Sequence, residues 1–185
     1  MAGVTTVAKG EAALRHVVLV GGTPAEWDAL GEQLWVHRLA ELGKVADHVG
    51  ASWLVLHPYG PDGGAGAAPA SPTRTDTVGG CAVVARAEPD GRARLVTAVE
   101  ALRRAGRPID ETSIAAELNS PALVDPDLVV VLGPGHRLPP SLVWELAYGE
   151  LVFEPITLAE LRPEHLASAI EEFHGRQRRF GGLEG

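Results

Sequence analysis

Cysteine, lysine and long hydrophobic runs are all scarce in this sequence. The single cysteine, Cys81, excludes an internal disulfide and agrees with a reducing cytosol. No uninterrupted apolar run approaches the length that spans a bilayer, and no charged segment followed by an apolar one resembles a signal peptide. We therefore expect a cytoplasmic protein.

Acidic residues outnumber basic residues in this chain. The formal net charge is −8, which argues against non-specific binding to nucleic acid. Lys9 and Lys44 are the only lysines, so arginine supplies most of the positive charge. Arginine suits bidentate contact with phosphate, and three arginines cluster near the end of the chain. A high arginine content is equally what genome composition would produce.

The length of 185 residues and the 45% hydrophobic content suit one domain with a full core. Apolar strand patterns alternate with helical ones, which predicts an α/β fold with a mostly parallel central sheet flanked by helices. We expect a loose N-terminal arm over residues 1–13, a single domain over 14–174, and a C-terminal tail over 175–185. Residues 61–77, rich in glycine, alanine and proline at their start, are expected to form a disordered loop within the domain.

The predicted elements follow from hydrophobic period and from capping residues. Thr23, Pro24 and Glu26 have the pattern of a capping box at a helix start. That helix would place Leu30, Leu34, Leu39, Leu42 and Val45 on the core, with some irregularity near Gly43. A later helix would place Leu95, Val99 and Leu102 inward. Strands are expected over 15–22, 52–57, 80–87, 128–132 and 150–153, and helices over 23–48, 92–105, 110–118, 141–148 and 158–173.

The stretch from Asp125 to Phe153 organises the rest of the chain. Its apolar strand is broken by Gly133-Pro134-Gly135, and Ser141 can cap the helix that follows. A strand, a sharp loop and a helix N-terminus together form a cradle in which backbone N–H groups can face an anion. His136 and Arg137 are the cationic side chains at its mouth. The alternative is an ordinary strand-to-helix turn.

The same stretch, DPDLVVVLGPGHRLPPSLVWELAYGELVF, resembles the C-terminal signature of the cis-prenyltransferases, the undecaprenyl diphosphate synthase family. That signature is, in outline, DPDLVIRTSGEXRLSNFLLWQLAYSELYF. RQRRFGG at 176–182 resembles the RERRFGG that ends the family. RHVVLV at 15–20 resembles PRHVAIIM, and Trp27 lies where the tryptophan of the DGNGRW motif would lie. The resemblance covers most of the chain and implies a cis-prenyltransferase-like fold.

The family condenses an allylic diphosphate with isopentenyl diphosphate, and its DGNGRW aspartate holds Mg²⁺. By this resemblance, the aspartate position is Gly22, the asparagine position is Pro24 and the phosphate-binding arginine position is Glu26. Glycine has no side chain with which to bind a metal, and Glu26 would repel a diphosphate. A capped helix start explains the residues of this segment better than a catalytic loop does.

The second half of the site is also altered. Val131, Gly135 and Pro139 stand where the family has arginine, glutamate and serine. His136, Arg137 and Glu150 survive and form a candidate residual site. Glu150 is at a position that contributes to Mg²⁺ binding in the family, but one carboxylate alone is a poor site for this cation. We therefore expect no turnover of prenyl diphosphates by this chain alone, and no metal or cofactor of its own.

The family includes heteromeric enzymes in which one subunit has lost the aspartate but keeps a C-terminal Arg-x-Gly, as in Nogo-B-receptor-like subunits. There the tail reaches into the active site of the catalytic partner, which holds Mg²⁺. The resemblance implies that Arg179 and Gly181, together with Arg178, would bind the diphosphate of the prenyl substrate in the partner's site. The alternative is that this arginine-rich tail is a solvated terminus.

The first hypothesis is thus a non-catalytic accessory subunit of a heteromeric cis-prenyltransferase. Trp144, Tyr148 and Phe153 are the expected interface residues, although Trp144 fits a core role equally well. Contact with the membrane would be peripheral, through product or partner. A second hypothesis is an enzyme of altered chemistry that uses the residual site. A third is a protein that binds a prenyl diphosphate or lipid carrier in an apolar tunnel behind Gly22.

Overall fold

Strands and helices alternate along the chain. The computed structural model describes residues 13–60 and 72–180, and only the backbone of residues 177–180. Its elements are, in order, β1 (His16–Val20), α1 (Pro24–Ala29), α2 (Glu32–His48), β2 (Trp53–His57), β3 (Arg74–Val78), β4 (Cys81–Ala85), α3 (Gly91–Arg104), α4 (Glu111–Asn119), β5 (Leu128–Leu132), β6 (Glu150–Glu154) and α5 (Pro163–Phe180).

The strands form one sheet in the order β3-β4-β2-β1-β5-β6. All neighbouring pairs are parallel except β3 with β4. The interior strands β1 and β5 are buried at every position, as strands covered on both faces must be. The prediction of a mostly parallel sheet flanked by helices is confirmed.

The two faces of the sheet have separate apolar clusters. Side chains that alternate along the strands place Val17 and Leu19 on one face with α2 and α5. Val18 and Val20 point to the other face, where Leu142 from the segment after β5 packs on them. The sheet is therefore the middle layer of three.

The helix predicted over 23–48 is two helices, so that prediction is wrong in part. α1 does begin with the expected capping box, because the Thr23 N–H donates to Glu26 Oε2 at 2.7 Å and Glu26 N–H donates to Thr23 Oγ1 at 3.2 Å. The chain then breaks at Gly31, whose φ of 70° is accessible to glycine. The break lies at Gly31 rather than near Gly43.

Two tryptophans occupy the core between α1, α2 and the sheet. Trp27 and Trp35 are fully buried, with ring centroids 4.6 Å apart. Their indole N–H groups donate to the carbonyl oxygens of Gly21 and of Trp27. Because the break shifts the face of α2, Trp35 is buried and Leu34 is 40% exposed, contrary to the prediction for Leu34.

A short hairpin replaces part of the predicted loop. Residues 74–78 form β3, which pairs antiparallel with β4 through the Gly79-Gly80 turn. Asp47 of α2 accepts a hydrogen bond of 2.7 Å from Gly80 N–H and so ties the turn to the helix. The loop prediction is therefore wrong for residues 74–77, and residues 61–71 lie outside the described residues. Cys81 opens β4 and is fully buried.

The segment after β5 is not the predicted helix over 141–148. It forms a single 3₁₀ turn at Glu145–Ala147. Ser141 does not cap a helix: it is buried, and its hydroxyl donates to the carbonyl of Tyr59 at 3.0 Å. Pro139 and Pro140 precede it and, lacking N–H groups, favour an irregular path.

The last helix begins and ends later than predicted. α5 runs from Pro163 to Phe180, so residues 175–180 are helical rather than part of a tail. Arg176 holds this end of α5 on the sheet, because its Nη1 donates to the carbonyl of Leu151 at 2.6 Å. In the part of the chain that the structure describes, no helix has the length and apolar composition needed to cross a membrane.

A buried ion pair connects α3 to the 3₁₀ turn. Arg94 is 8% exposed and Glu145 is 3% exposed, and Arg94 Nη2 lies 2.6 Å from Glu145 Oε1. Arg94 Nη1 also donates to the carbonyl of Ser141 at 2.9 Å. The buried positions of α3 are Gly91, Arg94, Ala98 and Leu102, whereas Leu95 and Val99 are only half-buried.

Removing one partner of this ion pair should destabilise the protein strongly. Arg94→Ala leaves the Glu145 carboxylate buried without its cation, so we expect a loss of about 3–5 kcal/mol in the free energy of unfolding. Urea denaturation measures this loss. Arg104→Ala on the same helix breaks only an exposed pair with Glu100 and should cost less than about 1 kcal/mol. Equal losses for the two variants would contradict a structural role for the buried pair.

Two buried histidines should make the fold sensitive to acid. Burial lowers the pKa of His57 well below its ordinary value of 6.5, and nearby Arg94 and Arg86 lower it further. Burial also lowers the pKa of His16, against the hydrogen bond of its ring to the Val124 carbonyl. As the pH falls, both histidines are therefore protonated in the unfolded chain before they are protonated in the folded chain. The free energy of unfolding consequently decreases as the pH falls below 6.5.

Urea denaturation at pH 7.5 and pH 5.5 tests this acid sensitivity. The loss of unfolding free energy between the two pH values should be smaller in His57→Gln than in the unaltered protein. His37→Gln, which changes an exposed histidine, should leave the loss unchanged. An unchanged loss in His57→Gln would show that His57 does not contribute.

Candidate functional site

The carboxyl ends of β1 and β5 form the crevice in which a parallel α/β sheet usually binds ligands. From β1 the chain crosses to β2 and β4 on one side, and it later returns to β5 on the other side of β1. Such a reversal of strand order opens a crevice outside the strand ends. Here the crevice is bounded by Gly21-Gly22 and by Gly133-Pro134-Gly135.

Gly22, which the resemblance puts at the position of the family aspartate, is closely packed. Gly22 has a φ of 74°, and a Cβ at this residue would lie 2.6 Å from the Leu158 side chain. Arg38 of α2 fixes that leucine, because its guanidinium donates to the carbonyls of Leu158 at 2.5 Å and Ala159 at 3.2 Å. A larger side chain at Gly22 therefore has neither the backbone conformation nor the space that it needs.

Glu26, which the resemblance puts at the position of the phosphate-binding arginine, has a structural role. Its carboxylate and its backbone N–H both belong to the capping box of α1 with Thr23. A carboxylate in the first turn of a helix is stabilised by the helix dipole. The segment from 22 to 27 is thus a capped helix start, as the sequence predicts.

The glycine loop after β5 does not form the expected anion cradle. Gly133 and Gly135 have positive φ values of 128° and 82°, and Gly133 N–H donates to the Glu154 carbonyl at 3.0 Å. The structure describes every residue between this loop and β6 and shows no α-helix there, so the helix N-terminus predicted for the cradle is missing. The loop exposes His136 and Arg137 to solvent.

The three residues of the candidate residual site do not come together. The His136 ring packs edge-on against Phe153, with ring centroids 4.9 Å apart, near the carboxyl end of β6. Glu150 begins β6 at the opposite edge of the sheet, about 10 Å along the strand from Phe153 at about 3.3 Å per residue. The structure therefore gives no support to joint chemistry by His136, Arg137 and Glu150.

The residues present do not fit the Mg²⁺ site of the family. Gly22 offers no side-chain ligand, and Glu150 lies at the far edge of the sheet from it. Among residues 13–60 and 72–180, no group of three or more histidine, cysteine or acidic side chains is placed to hold a metal ion. A hard cation that needs several oxygen ligands has no such set among these residues.

The space behind Gly22 is filled with side chains. Leu158, Trp27 and Trp35 are each at most 1% exposed and belong to one continuous core cluster. This packing counts against the hypothesis of an apolar tunnel behind Gly22. A lipid at this position would have to displace the tryptophan pair.

The expected interface residues differ in exposure. Tyr148 is 45% exposed, and its hydroxyl donates to Glu111 Oε1 at 2.7 Å, which raises the pKa of the phenol. Trp144 is half-buried beside Tyr148, with ring centroids 6.1 Å apart. Phe153 is half-buried against His136. Their role in an interface stays a prediction.

The arginine-rich end of the chain approaches the amino edge of the sheet. α5 runs antiparallel to β6, and the bond from Arg176 to the Leu151 carbonyl fixes its last turns near Glu150. The backbone is helical at Arg178 and Arg179, and Gly181 lies outside the described residues.

Sequence reasoning missed the buried charged residues. Arg38, Arg94 and Glu145 are at most 8% exposed, and each has partners far away in the chain. The one local signal was periodicity, because Arg38 shares a helix face with Trp35 and Leu42, and Arg94 shares one with Ala98. A charge at a core position of a helix indicates a buried partner.

A larger side chain at Gly22 should damage the fold. Gly22→Ala combines a positive φ with a clash against Leu158, and we expect a loss of about 2–4 kcal/mol in the free energy of unfolding. Gly31→Ala is the matched control. Gly31 has a φ of 70°, but no atom of the described residues would lie within 4 Å of a Cβ added there.

The control should lose only about 1–2 kcal/mol, the cost of the backbone conformation. Urea denaturation of both variants measures the difference. In a Leu158→Ala background, Gly22→Ala should cost less than it does in the unaltered protein, because part of the clash is removed. Equal losses for Gly22→Ala and Gly31→Ala would show that Leu158 does not close the position.

Comparison with known proteins places the chain among the prenyltransferases. A family model described as "Putative undecaprenyl diphosphate synthase" matches residues 71–181, more than half of the chain. Isoprenyl transferase 2 of Bradyrhizobium diazoefficiens is 43% identical over 81 residues, which are 44% of this chain and 32% of that protein. Isoprenyl transferase of Bacillus subtilis is 31% identical over 100 residues, which are 50% of this chain and 38% of that protein. These matches span less than two fifths of either relative.

Solved structures agree on the fold. A probable undecaprenyl diphosphate synthase from Campylobacter jejuni superposes with a TM-score of 0.61 at 16% identity, over 91% of this chain and 98% of that one. Lavandulyl diphosphate synthase from Lavandula x intermedia, solved with dimethylallyl diphosphate, gives a TM-score of 0.57 at 16% identity, over 88% of this chain and 95% of that one. The predicted cis-prenyltransferase-like fold is confirmed, and this chain belongs to the undecaprenyl diphosphate synthase family of cis-prenyltransferases.

Proposed function

We propose that this chain is a non-catalytic subunit that assembles with a catalytic cis-prenyltransferase and contributes its C-terminal Arg-x-Gly to diphosphate binding. The observation that carries the proposal is the close packing at Gly22, which would be the aspartate position by resemblance. Gly22 lacks a ligating side chain, and Leu158, fixed by Arg38, occupies the space that one would need. The metal would be Mg²⁺, held by the partner subunit.

The geometry of α5 supports the second part of the proposal. The anchored helix ends beside the amino end of β6, so residues that follow Phe180 would start from this edge of the molecule. Arg179 would make a bidentate, charge-assisted contact with a phosphate, and Gly181 would offer a backbone N–H at close range. Both groups would act in the partner's site, where the prenyl diphosphate is bound.

The proposed accessory role also concerns the substrate, the location and the subunit interface. The shared substrate would be a prenyl diphosphate during chain elongation or transfer, in the cytoplasm, with membrane contact only through the product or the partner. Trp144, Tyr148 and Phe153 would contribute to the subunit interface. The relatives named as isoprenyl transferases make a catalytic role the alternative, which the same experiment tests.

A prenyltransferase assay on three samples tests the proposal. The samples are this chain, a cis-prenyltransferase with an intact DGNGRW-type motif from the same genome, and an equimolar mixture of the two. We expect activity above the background of the single subunits only in the mixture. Arg179→Ala should lower that activity about tenfold or more, since a hydrogen bond to a charged group contributes about 1.5–3 kcal/mol.

Two further measurements make the assay decisive. Arg104→Ala, which removes an exposed arginine of α3, should leave the activity of the mixture unchanged. Size-exclusion chromatography should show the two chains eluting together, with or without Arg179→Ala. Turnover of prenyl diphosphates by this chain alone would overturn the accessory role.

A further inference from the structure

A groove crosses the amino edge of the sheet, on the side opposite to the crevice with Gly22. It consists of two adjoining depressions with volumes of about 550 and 270 Å³. The two depressions share Val124, Asp125 and Tyr148, so they form one continuous surface, which we call the amino-edge groove. The smaller depression lies between α4 and the segment that precedes β5.

Four of the five charged residues that line the groove are acidic. Glu111 and Asp125 line the smaller depression, and Asp125, Asp127 and Glu150 line the larger one. The cationic side chain on these walls is Arg15, in the larger depression. Asp127 already accepts hydrogen bonds from the backbone N–H groups of Arg15 and His16, so the smaller depression is the one suited to a ligand.

A buried amide points to a missing donor in the smaller depression. Asn119 lines this depression and is only 6% exposed. Its Nδ2 donates to Asp125 Oδ1 at 2.7 Å, which orients the amide. Its Oδ1 is buried and has no hydrogen-bond partner among the described residues. Since a buried acceptor without a donor is costly, the site is suited to a group that supplies N–H.

The aromatic ring of Tyr148 also lines the smaller depression. Tyr148 is 45% exposed, and the hydrogen bond from its hydroxyl to Glu111 holds the ring in place. A cation above an aromatic face gains about 0.5–1 kcal/mol at an exposed site. The combination of two carboxylates, an amide oxygen and an aromatic face accepts hydrogen bonds and positive charge.

We propose that the smaller depression of the amino-edge groove binds the guanidinium of an arginine side chain presented by a protein partner. A guanidinium is planar, carries five N–H donors and no acceptor, and stacks on aromatic rings. It would bond with Glu111 and Asp125, and with Asn119 Oδ1 once the side chains around that atom move to admit it, while its plane lies near Tyr148. The net charge of −8 favours a basic partner surface as well.

This inference rests on the proposed function only for the identity of the partner, which would be the catalytic subunit. The site itself can be tested on the isolated chain. If the mixture of subunits is active but no guanidinium binds, the guanidinium site fails and the accessory role stands. If a guanidinium binds but the mixture is inactive, the accessory role fails and the site stands.

The test is a titration of the isotope-labelled chain with N-acetyl-arginine amide, followed by NMR. We expect the side-chain amide signals of Asn119 and the ring signals of Tyr148 to shift and saturate. N-acetyl-citrulline amide, the neutral analogue of nearly the same shape, should bind at least about fivefold more weakly, because its contacts are not charge-assisted. Equal binding of the two probes, or shifts spread evenly over the surface, would overturn the proposal.

Variants of the protein give a second measurement. Glu111→Gln retains an acceptor for the Tyr148 hydroxyl but removes the charge, and should weaken binding of the arginine probe about fivefold. Glu100→Gln, on the exposed face of α3 and outside the groove, should bind the probe like the unaltered protein. Equal affinities of both variants would overturn the assignment to this groove.

The protein source of the guanidinium has its own test. Agmatine carries the same group on a small molecule without a peptide backbone. We expect it to bind no more tightly than an acetyl-Gly-Arg-Gly-amide peptide. Binding of agmatine more than about tenfold tighter than the peptide, a difference of about 1.4 kcal/mol, would overturn the assignment to a protein partner and would identify a small-molecule amine as the ligand.

Discussion

The Arg94 guanidinium holds three separate parts of the chain in place. From α3 it pairs with Glu145 and donates to the carbonyls of Ser141 and Leu118. The irregular segment after β5 contributes Leu142 to the second face of the sheet, and it has only one 3₁₀ turn of regular structure. Its position therefore depends on tertiary contacts, and a buried cation satisfied by both a carboxylate and carbonyl oxygens provides them.

Tertiary contacts of arginine also fix the segments at the two ends of the sheet. At the carboxyl end, Arg38 holds the turn at Leu158 against Gly22, and the crevice is closed there. At the amino end, Arg176 holds the end of α5 on β6. In both cases an arginine from a helix donates to backbone carbonyls of a neighbouring segment. The fold of the family is thus retained while Leu158 fills the space next to Gly22.

Much of the fold was predictable because its signals are local. The apolar runs of β1, β2, β4 and β5 and the capping box at Thr23 each depend on a few neighbouring residues. The helix predicted over 141–148 failed because its apolar residues pack on the sheet without helical backbone, after two prolines. The strand at 74–78 was missed because four of its five residues, Arg-Thr-Asp-Thr-Val, are polar, and no apolar run marks this edge strand.

The candidate site was predictable only as far as the resemblance reached. The motifs located Gly22, Glu150 and the arginine-rich end, but not the distances between them. His136 and Glu150 are close in the signature and lie at opposite ends of a strand in the structure. The groove at the amino edge had no sequence signal, because Glu111, Asn119 and Tyr148 come from segments that meet only in the folded chain.

The single cysteine has a practical consequence for watching the C-terminal residues at work. Cys81 is fully buried at the start of β4, and burial raises the pKa of its thiol to about 11. Since the thiolate is the reactive form, only about one thiol in ten thousand would be ionised at neutral pH. A cysteine introduced beyond Phe180 would therefore be the one thiol that a maleimide dye modifies readily. The native chain thus accepts a fluorescent reporter at its C-terminus without removal of any residue.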